Sequence, residues 1–119
     1  MSFLISLAQK FIYACRGLAY VARREQSFRL ELVVALAALG FAWWFNFSAL
    51  AWAVMLLTMG AVLAVEVVNT VLERLLDLIE PRLSLHVALL KDMLAGALFI
   101  LVLAAAVIGW LLLSASVSQ

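Results

Sequence analysis

AVEVVNTVLERLLDLIE, residues 64–80, follows an uninterrupted apolar run and turns polar while keeping a helical pattern. Glu66, Asn69, Glu73, Asp77 and Glu80 recur three or four residues apart. At about 100° per residue they fall within a stripe roughly 80° wide, with Val, Leu and Ile on the opposite face. Acids at this spacing repel one another by a few tenths of a kcal/mol per pair. The stripe therefore calls for something cationic beside it, either a divalent metal or basic side chains.

The composition around this stretch is that of an integral membrane protein. The 119-residue chain is 69% hydrophobic and 13% charged, against ~45–50% and ~25% in soluble domains. Its length fits one domain, residues 1–119. A net charge of +1 gives no reason to expect a nucleic-acid partner. No charged residue lies between Glu31 and Glu66, and none follows Asp92. The lone cysteine, Cys15, excludes an internal disulfide and reads as a small apolar filler.

Upstream of the stripe, FRLELVVALAALGFAWWFNF (about 28–47) is long enough to cross a ~30 Å hydrocarbon core. Asn46 to Ala49 can only be a tight turn. The second span starts near Leu50 and runs as one helix through the stripe to residue 79, with Pro81 ending it. RLSLHVALLKD, residues 82–92, reads as a short connection, and MLAGALFILVLAAAVIGWLLL, 93–113, as the third span. Trp43, Trp44, Trp52 and Trp110 suit an aromatic belt, and Gly60, Gly96 and Gly109 are expected at close helix contacts. Residues 3–24 carry Phe3, Leu4, Leu7, Phe11, Cys15 and Leu18 at helical spacing, interrupted by charge too often for a span; this is an amphipathic helix lying in the membrane interface. A signal peptide is not expected, because no positive region precedes the apolar stretch and no A-x-A site follows it. The expected fold class is thus an all-α membrane protein with three transmembrane helices and an N-terminal interfacial helix.

Charge also orients the chain. Lys10, Arg16, Arg23, Arg24 and Arg29 precede or open the first span, and Arg74, Arg82 and Lys91 lie between the second and third. The 46–49 turn and the tail carry no Lys or Arg. The positive-inside rule puts the N-terminus and the 73–92 segment, with all the acids, on the cytoplasmic side.

An acid cluster at a membrane surface, with Lys and Arg nearby, can perform phosphoryl chemistry. Mg²⁺ takes one or two carboxylates plus phosphate oxygens and water, and basic side chains neutralise a transferring phosphoryl group. Glu66 is the deepest acid of the stripe and is best placed to act as general base towards a hydroxyl. Glu73, two turns nearer the cytosol, and Glu25 from the preceding segment could share one Mg²⁺. The alternative is a solvated helix end in which Glu25 and Glu73 pair with Arg23, Arg24 or Arg29. No Walker A loop, GxGxxG, HExxH or nucleophile elbow is present.

E-x-x-N-T-x-x-E-x-x-x-D at 66–77, R-x-E-x-x-F-R-x-E at 23–31 and K-D at 91–92 together resemble the small prokaryotic diacylglycerol kinase and undecaprenol kinase family. The resemblance covers nearly the whole chain. It implies Mg²⁺-dependent transfer of the ATP γ-phosphate to a lipid alcohol at the inner face of the bacterial cytoplasmic membrane, by a homotrimer with sites between subunits. It also implies roles: Glu66 as the base with Asn69 supporting it, Glu25 and Glu73 as metal ligands, and Tyr13, Arg16, Asp77, Arg82, Lys91 and Asp92 around the nucleotide. For Lys91 and Asp92 the competing reading is a pair capping a helix N-terminus. The chain departs from the family pattern at Ser6, Ser84, Ala88 and Leu89, where basic residues or a histidine are common; His86 is displaced by two and reads as an interface residue. A non-enzymatic membrane protein, such as a proton-coupled exporter or an assembly subunit, is the alternative. Exporters tend to place a single acid at mid-bilayer depth, whereas these acids are graded towards the cytosol.

Overall fold

A computed structural model describes residues 1–79 and 85–118. They form four helices, α1 (Ser2–Arg24), α2 (Gln26–Trp44), α3 (Ala49–Ile79) and α4 (Leu85–Val117). The chain is all-α as expected, and α2, α3 and α4 are each long and apolar enough to cross a membrane. Glu80, Pro81, Arg82 and Ser84 lie outside the described residues, and with them the expected helix end at Pro81.

Each junction follows from local chemistry. Between α1 and α2 only Glu25 leaves the helical path, with φ −111° and ψ 114°. Arg29 spans this break: its Nη1 donates to the carbonyls of Ala22 (3.0 Å) and Arg23 (2.9 Å), two acceptors that the end of α1 leaves without helical partners. The α2–α3 turn closes as a Schellman motif. Asn46 sits in the left-handed region at φ 54°, Phe47 N–H donates to Ala42 O at 3.0 Å, and Asn46 N–H donates to Trp43 O at 3.3 Å. This motif ends α2 at Trp44, three residues short of the expected limit. Ser48 then caps α3, its Oγ accepting from Ala51 N–H at 3.2 Å.

The fourth helix corrects the sequence reading. Residues 85–92 are not part of a connection; they are the first two turns of α4. Residues 85–92 hold Leu, Ala and Lys with no Gly or Pro, so the helix extends upstream of Met93 to Leu85. Lys91 and Asp92 therefore stand about two turns inside the helix, which removes the N-terminal capping role.

Packing is sparse. Helix α3 is the hub, lying mainly against α4 and also against α2, while α1 touches both α2 and α3. Buried apolar side chains are few: Val21, Phe28, Ala42, Met55 and Val62. The radius of gyration is 17.7 Å, against roughly 13.5 Å for a compact chain of this length. Extents of 55 × 47 × 21 Å exceed what three adjacent helices of ~10–12 Å diameter supply in the second dimension, so α1 reaches away from the bundle. It leaves Phe3, Leu7 and Phe11 exposed, as expected of a helix resting in an interface. Trp43, Trp44 and Trp110 are exposed at the end of the bundle opposite the acids. The glycine expectation fails within the chain: a Cβ at Gly60, Gly96 or Gly109 would meet nothing within 4 Å; Gly60 and Gly96 are exposed, and Gly109 lines the apolar cavity between α2, α3 and α4.

Since Asn46 occupies the left-handed region, Asn46→Val should destabilise the protein by about 1–2 kcal/mol, while Asn46→Gly should be near neutral. Unfolding in mixed micelles measures both; equal effects would contradict the turn geometry.

Candidate active site at the polar end of the bundle

Helix lengths set the depths of the polar residues. At 1.5 Å per residue, about 20 residues of α3 cross the hydrocarbon, which from Ala49 brings the boundary close to Asn69. Glu66 falls just inside it; Glu73, Arg74 and Asp77 fall beyond. The same count back along α4 from Val117 places Lys91 and Asp92 outside the hydrocarbon, level with Asp77.

Glu66 is the buried polar residue of the described chain, 4% exposed. Its carboxyl faces that of Glu31 on α2. Glu31 also lines an apolar cavity of about 450 Å³ between α2, α3 and α4, whose walls include Val34, Met55, Val62 and Val102. It stands at the end of that cavity nearest Glu66. Two facing carboxyls can accept a hydroxyl proton at one oxygen while another holds the alcohol, and the adjoining cavity is the kind of space an apolar chain fills. Glu31 received no role from sequence alone, although a signal existed: it closes the R-x-E-x-x-F-R-x-E motif and is the deepest acid of its own helix, as Glu66 is of α3.

One turn further, Asn69 Nδ2 donates to Glu73 Oε1 at 3.4 Å. Asn69 Oδ1 is buried and has no hydrogen-bond partner among the described residues. A carbonyl oxygen left this way beside a carboxylate is a hard-cation donor, so Asn69, Glu73 and Glu25 are chemically suited to Mg²⁺. The described residues contain no group of three or more His, Cys, Asp or Glu able to form a complete metal cage. Mg²⁺ does not need one, since it takes one or two carboxylates and completes its shell with phosphate oxygens and water.

The ion pairs differ from those expected. Glu25 pairs with none of Arg23, Arg24 and Arg29; its partner is Arg74, whose Nη2 lies 3.0 Å from Glu25 Oε1. Asp77 and Lys91 come together at 2.6 Å, joining the end of α3 to the start of α4. Asp92 is exposed near Lys91 in sequence. Tyr13 and Arg16 are exposed on α1, with the Arg16 guanidinium 5.8 Å from the Tyr13 ring centroid. No hydrogen bond or ion pair among the described residues links either one to the acids. Along a straight helix Tyr13 is about 18 Å from Glu25. Arg82 and Ser84 lie outside the described residues, and His86, Ala88 and Leu89 are exposed.

A family model described as prokaryotic diacylglycerol kinase matches residues 12–113. Among curated proteins the chain is similar to an undecaprenol kinase of Bacillus subtilis, 29% identical over 104 residues, 87% of this chain and 85% of that one. It is also similar to a diacylglycerol kinase of Synechocystis sp., 32% identical over 109 residues, 91% of this chain and 62% of that longer relative.

Asp77 and Lys91 are partly exposed, and such pairs contribute about 0–1 kcal/mol to stability. Asp77→Asn should therefore change the unfolding free energy by less than about 1 kcal/mol in micelles. A loss of several kcal/mol would make the pair a structural tie.

Proposed function

The chain belongs to the prokaryotic diacylglycerol kinase family and is a lipid kinase; from that premise we propose that it transfers the γ-phosphate of ATP to a membrane lipid alcohol in a Mg²⁺-dependent reaction at the cytoplasmic face. The observation that carries this reading is Glu66, a carboxyl buried at the edge of the apolar span and opening through Glu31 onto an apolar cavity. A lipid alcohol matches that arrangement, with its hydroxyl at the carboxyls and its chain among aliphatic side chains. Diacylglycerol and undecaprenol, the acceptors named for the two relatives, both have this form.

In the proposed mechanism Glu66 accepts the proton of the lipid hydroxyl as that oxygen bonds to the γ-phosphorus. The bond from the γ-phosphorus to its bridging oxygen breaks, and ADP leaves. Asn69 and Glu31 orient the acceptor beside the base. Glu25 and Glu73 would hold Mg²⁺, which when bound neutralises charge on the phosphate oxygens. Lys91, Asp92, Asp77, Arg82, Tyr13 and Arg16 are proposed to contact the nucleotide, the first four from the α3–α4 end and the last two from α1. The homotrimer that the family resemblance implies is part of this proposal: with Tyr13 about 18 Å along α1 from Glu25, α1 of one subunit would complete the nucleotide site of the next. The excess of Lys and Arg around this end supports placement in the bacterial cytoplasmic membrane with the N-terminus inside.

Glu66→Gln keeps the shape of the side chain without its basicity. It should lower lipid phosphorylation by about 10²–10⁴-fold while nucleotide binding, measured by equilibrium dialysis, stays near the parent value. Near-normal turnover would remove Glu66 from the role of base.

Orientation has its own test. In a Cys15→Ala background, Ser116→Cys should react with an impermeant thiol reagent applied to intact cells and His86→Cys should not. The opposite pattern would put the acids on the side away from cytosolic ATP.

A further inference from the structure

Arg74 follows Glu73 directly on α3, and its guanidinium is bonded to Glu25 at 3.0 Å. Glu25 is the single extended residue between α1 and α2, and its side chain makes no capping hydrogen bond to α2. What holds its carboxylate is therefore Arg74, the only ion-pair partner it has among the described residues. The guanidinium neutralises the carboxylate and occupies one side of it, so a divalent cation arriving at Glu25 meets the repulsion of a cation already there. Both side chains are accessible enough to exchange, at 54% exposure for Arg74 and 29% for Glu25. The arginine can leave Glu25 without leaving its surroundings: it already lines a surface cleft of about 660 Å³ between α1 and α3, together with Tyr20, Thr70 and Asp77.

We propose that Arg74 is a tethered counter-ion for Glu25, which keeps this carboxylate against α3 in the metal-free protein and swings off it, within the α1–α3 cleft that it lines, when a divalent cation binds. The proposal rests on the reading of Glu25 as a metal ligand. It makes Arg74 a positioning residue with two opposed effects. It holds the α1–α2 junction against α3, and it competes with the ion. Because Arg74 bridges residues 49 positions apart in the chain, metal arrival is coupled to freedom of the α1 helix end.

The test is Mn²⁺ binding to the full-length protein in detergent micelles without nucleotide, followed through the electron paramagnetic resonance signal of free Mn²⁺. Arg74→Gln should tighten binding by about three- to fivefold, the range that an exposed ion pair can supply. Arg74→Lys keeps a tethered cation and should stay close to the parent. Glu25→Gln should weaken binding, and adding Arg74→Gln to it should then produce no further change. Unchanged or weaker binding in Arg74→Gln would overturn the proposal, as would an equal gain with and without Glu25, which would reduce Arg74 to a distant repulsive charge. If Glu25→Gln leaves binding untouched, the metal assignment of Glu25 fails and the counter-ion proposal falls with it. The Glu25→Gln arm thus separates failure of the assignment from failure of the proposal.

Discussion

The mismatch between a helix of 31 residues and a hydrocarbon layer that about 20 residues can cross governs the rest of this protein. Helix α3 cannot stay within the bilayer, and the turns that project from it carry the polar stripe. Depth is then fixed by counting. Glu66 falls at the boundary, where burial is strong; Asn69 and Glu73 follow, and Asp77 is fully outside. Helix α4 overshoots on the same side and delivers Lys91 to the level of Asp77, where the two meet at 2.6 Å. Helix α2 is shorter, 19 residues, and therefore ends near the boundary with Glu25 at its start. Three helices of different length thus bring their charged groups to one layer without any long loop among the described residues.

Within that layer the charges are arranged by a few ties instead of by a core. The chain buries little, and most large apolar side chains face outward, as lipid-facing residues do. The polar end is organised by Arg29 across the α1–α2 break, Arg74 on Glu25 and Lys91 on Asp77. Two of these three ties use residues proposed for metal or nucleotide. A surface ion pair adds little stability, and a group held this way can be exchanged for a ligand at small cost. Deeper in, Glu31 and Glu66 join two spanning helices through groups that lipid cannot solvate, so the two carboxyls turn to each other where Glu31 meets the apolar cavity.

Much of this was legible in the residues, and the failures have a common cause. Apolar runs and their lengths located the three spans. The turn after Asn46 followed from its position between two runs, although Ala49 already opens α3, and the 3–4 spacing of Glu66, Asn69, Glu73 and Asp77 placed them on one face of α3. Periodicity describes a single helix, however, and says nothing about how one helix is rotated against another. For the ion-pair alternative at Glu25, sequence therefore offers only the neighbouring Arg23, Arg24 and Arg29, whereas its partner, Arg74, lies on a different helix. Glu31 passed without a role because its meaning depends on facing Glu66. The start of α4 lies earlier than the apolar run suggests because polar residues interrupt the run before Met93, although Leu, Ala and Lys sustain a helix from Leu85. For Gly60, Gly96 and Gly109, small size alone did not show which way each residue points.

The central claim is phosphoryl transfer to a lipid hydroxyl at the Glu66 end of the bundle. Its most direct test follows a radiolabelled γ-phosphate from ATP, with the purified protein in mixed micelles containing diacylglycerol or undecaprenol, with and without Mg²⁺. The account predicts label in the organic phase as the phosphate monoester of at least one of these alcohols, only when Mg²⁺ is present. Label that stays in ATP with both acceptors, or that appears only as inorganic phosphate, would contradict it.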